Sequence, residues 1–239
     1  GDPRSAVDWR RSGRSDTQFI REMEWEAAQS VCLWVDDALS MDYRAEKSSR
    51  SKGERAALLA LALAVLLEKS GERIALLGSR TAAAPRAGRA QLGRLAMELG
   101  SGSGEDRPDY GTPPNDPMPR GGRAVFFSDF LGDPDAMIPV LAQAADRGVR
   151  GAFVQVLDET EEAFPFDGRM VFESMGGGTE FETQRARALH EAYRERLAER
   201  RARLSEFARQ LGWRVLFHRT SESPRKALLW LYMAIGDRG

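Results

Sequence analysis

The sequence predicts a doubly wound α/β fold, a mostly parallel sheet with helices on both faces in a three-layer arrangement. Three observations carry this expectation. Short apolar runs rich in β-formers alternate with longer helical patterns along the chain, which is the order of successive β-α-β crossover units. These runs are apolar at consecutive rather than alternate positions, as strands buried on both faces require. Three of them end on an aspartate, namely Asp36, Asp129 and Asp158, and in such sheets the carboxyl ends of the strands form the edge where ligands bind.

The elements follow in order. Residues 1–29 are read as an arm packed on the domain that spans 30–239. Within the arm, Arg4, Arg10, Arg11, Arg14 and Arg21 surround Trp9, and such residues are frequent interface anchors. Residues 30–35 (SVCLWV) read as the first buried strand. Ser51 and Glu54 have the spacing of a capping box, opening an Ala/Leu helix that ends near Ser70. Residues 73–77 form a second strand, and 89–99 a short helix with Leu92, Leu95, Ala96 and Leu99 on one face. The stretch 100–122 is crowded with Gly, Pro, Ser and Asp and reads as disordered. Residues 123–128 (RAVFFS) are the next strand, and Asp133-Pro134 caps a helix running to about Arg147. Residues 152–157 give another strand. The segments 170–172 and 180–182 flank Gly176, Gly177 and Gly178 as a small hairpin insertion. A long helix over 184–211, a strand over 213–217 and a closing helix over 224–235 complete the pattern.

Bulk properties exclude several classes. The 239 residues carry a net charge of −1, which supplies no general attraction to nucleic acid or to anionic membranes. In the long helix, eight arginines are interleaved with Glu191, Glu195, Glu199 and Glu206, the pattern of a solvated charged face. The longest apolar run, residues 56–67, spans about 18 Å as a helix, short of a bilayer core. Cys32 is the single cysteine, so intramolecular disulfides and thiolate clusters are excluded, and a reducing cytoplasm is the expected compartment. His190 and His218 are not spaced as a metal pair. The chain opens on Gly1 rather than methionine, so the natural protein is expected to extend upstream.

The strand-end aspartates have two readings, helix caps or converging oxygen ligands for a hard cation. Asp158 is read as a cap, one of a solvated acidic cluster with Glu159, Glu161 and Glu162. Asp129 and Asp36 fit the cap reading less well, because Asp133 and Ser51 already occupy the capping positions.

Asp36-Asp37-Ala38-Leu39-Ser40-Met41 resembles the D-x-S-x-S metal-ion-dependent adhesion motif of von Willebrand factor A domains, and Ser128-Asp129-Phe130 resembles their second acidic loop. Gly1-Asp2-Pro3-Arg4, Val7-Asp8-Trp9-Arg10, Ser12 and Arg14 resemble the signature of domain-of-unknown-function family fifty-eight. That resemblance implies a von Willebrand factor A-like, Rossmann-type domain without catalytic activity, partnered by a MoxR-type AAA+ ATPase. Asp8, Trp9, Arg10 and Arg14 become its candidate partner-binding residues. Asp36, Ser40 and Asp129 become a degenerate metal site. Ala38 replaces the first serine of the motif, and Thr112, the nearest threonine in order, lies in the Pro/Gly-rich stretch. Magnesium or manganese is therefore expected to bind weakly or not at all, and no other cofactor is implied.

The leading expectation is thus a non-enzymatic interaction module, an adaptor in the assembly or maturation of a protein complex. The alternative is a magnesium-dependent phosphohydrolase of the haloacid dehalogenase type. Those enzymes also place an aspartate at the first strand tip, but they need a carboxylate at the position that Ala38 holds.

Overall fold

A computed structural model describes residues 28–45, 50–101, 104, 106–163, 170–173, 180–183 and 186–236. The candidate residues Asp8, Trp9, Arg10 and Arg14 lie outside the described residues. The elements are β1 (Ser30–Val35), α1 (Lys52–Lys69), β2 (Arg73–Leu76), α2 (Arg89–Gly100), β3 (Arg123–Ser128), α3 (Ile138–Asp146), β4 (Arg150–Leu157), α4 (Glu159–Ala163), β5 (Met170–Glu173), β6 (Glu180–Thr183), α5 (Ala186–Leu211), β7 (Arg214–Arg219) and α6 (Pro224–Gly236). Short 3-10 turns at Leu39–Asp42 and Pro134–Met137 precede α1 and α3.

Five strands form one sheet in the order β2-β1-β3-β4-β7, and every neighbouring pair is parallel. The chain steps outward from β1 to β2 and returns on the other side of β1 to begin β3. The switch point therefore lies between β1 and β3, where the carboxyl-edge crevice is expected. The hairpin is a separate two-stranded antiparallel ribbon of β5 and β6.

Consecutive apolar residues in each strand serve two cores. Val31, Leu33, Val125, Phe127, Ala152, Val154 and Val156 pack with residues of α1, α2 and α6. Cys32, Trp34, Ala124, Phe126 and Phe153 pack with residues of α3 and α5. Burial pushes the Cys32 thiol up to about 11, with the Asp116 carboxylate adding to it. It behaves as a small hydrophobe and not as a nucleophile. On the second face Phe126 meets Trp34, Phe153 and Trp213 edge-on.

Both caps read from the sequence are present. Ser51 Oγ accepts from Glu54 N at 3.1 Å and Glu54 Oε2 accepts from Ser51 N at 2.8 Å. Asp133 Oδ1 accepts from Asp135 N at 3.0 Å.

The stretch 100–122 departs from expectation, because its described residues are packed rather than disordered. Pro108 O and Asp109 O accept from Leu39 N and Ser40 N, each at 2.9 Å. Asp116 accepts from Gly78 N at 2.7 Å, Met118 is fully buried, and Gly122 lies against Ser30 O. This segment crosses the carboxyl edge and then covers the second face over β1 and β2, where a helix would otherwise stand. Its composition is poor in apolar residues, but backbone hydrogen bonds and one methionine hold it.

Phe126→Ala removes a ring at the centre of the second core and should cost about 3–5 kcal/mol. Urea unfolding checks this: the midpoint falls while the slope against denaturant stays unchanged.

Candidate functional site

The tips of β1 and β3 are neighbours, as the switch-point rule predicts. Val35 is in register with Phe127, and Asp36 N donates to Phe127 O at 2.8 Å. Asp36 is 2% exposed. Its Oδ2 accepts from Ser128 Oγ at 2.6 Å and its Oδ1 from Ala38 N at 2.9 Å. Burial pushes this carboxyl up to about 6, against the two hydrogen bonds, and the charges of Asp129 and Asp37 add to the rise. Ser40 is buried in the turn after β1, and its Oγ finds no hydrogen-bond partner among the described residues.

Asp129 is held differently. Its Oδ2 accepts from Lys52 Nζ at 2.9 Å, and its Oδ1 from Leu131 N at 3.0 Å. Lys52 is 1% exposed and also donates to Glu161 Oε1 at 2.7 Å. The ammonium lies 5.7 Å from the centre of the Tyr43 ring. Burial opposes its charge, but Asp129 and Glu161 outweigh burial and raise its pKa above the ordinary lysine value. Phe130, next in the chain, has φ 51°, an uncommon conformation for a bulky side chain. It is held there by donation of Phe130 N to Ser128 Oγ at 3.0 Å and by ring contacts with Trp34 and Phe153.

Asp158 does cap, since its Oδ1 accepts from Thr160 N at 2.9 Å. Of the acidic cluster only Glu159 is exposed. Asp158 is 4% exposed. Burial raises its pKa, yet hydrogen bonds from Thr160, Ala45 and Thr220 hold it below the usual carboxylate range. Glu161 meets Lys52, and its other oxygen accepts from Asp158 N at 2.9 Å. Glu162 is bracketed by Arg219 and Arg201, which pull its carboxyl down to about 2.

Residues 106–112 close over this edge. A Cβ on Gly111 would stand 1.9 Å from Asp36 Oδ1, so only glycine fits there. Arg107 pairs with Asp42 and donates to Asp37 O at 3.0 Å. Beside them opens a cleft of about 510 Å³, lined in part by Asp36, Asp37, Arg44, Glu54, Arg107 and Thr112. Thr112 therefore stands at the rim of the cleft that Asp36 lines, despite its place in the Pro/Gly-rich stretch.

Asp129 is engaged by an ammonium, and among the described residues no three His, Cys, Asp or Glu side chains are grouped to hold a metal. Sequence reasoning missed Lys52, Glu161, Arg107 and Gly111. A signal for Lys52 did exist. A lysine in the first turn of a helix opposes the helix dipole, which favours an acidic neighbour.

The family described as "Protein of unknown function DUF58" matches residues 1–203. No curated protein matches the chain in sequence. Among solved structures, an aerotolerance-related membrane protein from Bacteroides fragilis NCTC 9343, carrying multiple mutations to serines, is similar. Its TM-score is 0.52 at 14% identity, over 87% of this chain and 98% of that one. BatB, a conserved hypothetical protein from Bacteroides thetaiotaomicron, aligns over the same shares with a TM-score of 0.49 and 13% identity. At such identities the likeness concerns the fold alone. Among the described residues of this chain, no helix is long and apolar enough to cross a membrane.

Two outcomes follow from the charges. Lys52→Met strips Asp129 of its buried cation and should cost about 3–5 kcal/mol at neutral pH. Adding Asp129→Asn should recover much of the loss in the same urea titration. Because the folded pKa of Lys52 lies above its unfolded value, the stabilisation is complete at neutral pH and is lost only in strongly alkaline solution.

Asp36 has the opposite sign. Its folded pKa is raised from 3.8 to about 6, so the folded state binds the proton more tightly than the unfolded chain. Stability should fall by roughly 3 kcal/mol as pH rises through that window. Asp36→Asn should flatten this stretch of the stability–pH curve, as unfolding at half-unit pH steps will measure.

Proposed function

The chain belongs to the DUF58 family of proteins of unknown function, and on that footing we propose that it is a non-enzymatic protein-interaction module. It acts in the cytoplasm as an adaptor for a MoxR-type AAA+ ATPase, in the assembly or maturation of a protein complex. The ATPase partner and the von Willebrand factor A-like character are inferred from the motifs around Asp8-Trp9, Asp36 to Ser40 and Asp129.

The observation that carries the reading is the Lys52 ammonium seated between Asp129 and Glu161. The edge where α/β enzymes gather reactive carboxylates is here neutralised from within. Asp36 is engaged by Ser128 and by the backbone N–H of Ala38, and Ala38 offers no general acid. Nothing favours the phosphohydrolase reading. Lys52 does stand near the strand tips, but its charge is taken up by two carboxylates.

With Asp129 and Glu161 held by Lys52, the carboxyl edge offers a partner its rim. Tyr110 is half exposed, and Arg107 and Thr112, close to it in the chain, line the cleft. An aromatic flanked by a threonine and an arginine is a suitable anchor for a protein surface. Asp36, Ser40 and Asp129 are the remnant of a cation site, and docking proceeds without magnesium or manganese.

The test is affinity capture from the native cell with the full chain as bait. It should retain an AAA+ ATPase, equally with magnesium and with a chelator present. Tyr110→Asp with Thr112→Asp should cut the captured ATPase by about tenfold, a loss usual for an interface anchor, at an unchanged melting temperature. Undiminished capture by that variant would remove the rim from the interface. Capture that vanishes with the chelator would reinstate a metal-bridged contact.

A further inference from the structure

The two outer strands of the sheet are finished differently. In a parallel ladder the backbone groups of successive residues face opposite neighbours in turn. On β2, Arg73 N donates to Gln29 O and Leu77 N to Leu33 O, each at 2.8 Å. Odd-numbered residues therefore face β1, and Ile74 and Leu76 face outward. The chain itself meets them there. Ile74 N donates to Arg86 O at 2.9 Å, Arg86 N to Ile74 O at 3.1 Å and Leu76 N to Ala82 O at 2.9 Å. Ile74 and Leu76 are both buried.

Strand β7, at the other side of the sheet, has no such cover among the described residues. Thr220 N donates to Leu157 O at 2.9 Å, which turns the even-numbered residues toward β4. The N–H groups of Val215, Phe217 and Arg219 and the C=O groups of Val215 and Phe217 therefore face outward. Among the described residues no backbone group bonds to them. The register with β4 runs unbroken from Arg214 to Arg219, so no bulge turns the edge away, and the strand holds neither proline nor glycine. Phe217 is 39% exposed. A regular row of open backbone groups is a template for another strand.

The side chains select the strand that fits. Val215, Phe217 and Arg219 share one face, so that face reads apolar, apolar, basic along the edge. Val215 packs against the second core, and the Arg201 guanidinium lies 4.8 Å from the centre of the Phe217 ring. Arg201 and Arg219 share the one carboxylate of Glu162. Glu159 and Glu222 also stand near Arg219, but Glu222 is turned to His218 on the other face, where Arg55 donates to its carbonyl. With Arg214 at the start of the strand, arginines outnumber glutamates around the edge, and an acidic neighbour suits Arg219. A second copy of β7 fits poorly, because antiparallel pairing centred on Phe217 would set Arg219 against Val215. We propose that the outer edge of β7 receives an extended segment of a partner protein as a sixth strand, with apolar side chains beside Val215 and Phe217 and an acidic one beside Arg219.

The experiment is amide hydrogen exchange of the full chain, read by nuclear magnetic resonance, with and without the peptide acetyl-Glu-Thr-Val-Thr-Val-Thr-Glu-amide. Its alternation sets glutamates and valines on one face in either chain direction. In the protein alone, Phe217 and Arg219 amides should exchange at least about tenfold faster than those of Leu216, His218 and Ile74, which ladder bonds protect. Bound peptide should slow Val215, Phe217 and Arg219 by about tenfold. N-methylation at either the valines or the threonines, whichever set faces β7, should abolish binding, and methylation of the other set should leave it intact. Phe217→Pro removes an outward N–H and no bond to β4, and should weaken binding about tenfold at a nearly unchanged melting temperature. Lysines in place of the glutamates should weaken it about threefold. No binding at about 1 mM peptide, or undiminished binding of both methylated peptides, would overturn the proposal. Outward amides already protected in the free monomer would assign the edge to the chain itself, and protection in a dimer would assign it to a second copy, and either overturns it. Equal binding of the lysine peptide would overturn the acidic neighbour of Arg219.

Discussion

A single buried ammonium organises the carboxyl edge of this domain. Lys52 opens α1, Asp129 follows directly on β3 and Glu161 lies within α4, and the two contacts of Lys52 bind these three elements together. An ammonium or a carboxylate alone in such a position is costly to desolvate, so each becomes tolerable only because the others are present. The capping box at Ser51 sets the start of α1 and so the height at which Lys52 enters the site. Glu161 is tied in turn to Asp158 N, and Asp158 reaches Thr160, Ala45 and Thr220. The site is a continuous network of charges and hydrogen bonds across four elements.

This network relieves part of the charge gathered on the acidic edge. A parallel sheet with a switch point brings strand tips together whether or not a ligand is bound, and here it brings two aspartates together. Mutual repulsion has to be relieved. Asp129 is relieved by Lys52. Asp36 lies one strand away and gains hydrogen bonds but no opposite charge, so burial pushes its carboxyl up to about 6, with the charges of Asp129 and Asp37 adding to the rise. The segment around Gly111 lies against it, and a Cβ there would stand 1.9 Å from Asp36 Oδ1, which leaves no room for a side chain.

The two edges of the sheet differ in character. At the carboxyl edge, charges are paired inside and an aromatic rim is presented outside. At the amino edge, Gln29 and Val31 share a cleft with Tyr232 and Met233 of α6. The five-stranded sheet separates the two surfaces, and its two cores are packed on either face.

Much of the fold was legible in local pattern. Consecutive apolar runs located the buried strands, because a strand covered on both faces has no solvent side to mark. Ser51 with Glu54, and Asp133 before Pro134, marked helix starts, because capping is a contact between residues near in sequence. The neighbourhood of Asp36 and Asp129 followed from the switch-point rule. Other features were decided by tertiary structure. Lys52 meets Asp129 across 77 residues and Glu161 across 109, and nothing local encodes such a pairing. Glu161 and Glu162 look solvated in a run of acids, yet the fold places Lys52, Arg201 and Arg219 against them. Residues 106–122 have a composition that suggests disorder, since composition counts apolar side chains and is blind to backbone partners. Their order comes from N–H and C=O groups at the tip of β1, which exist as partners only after the sheet has formed.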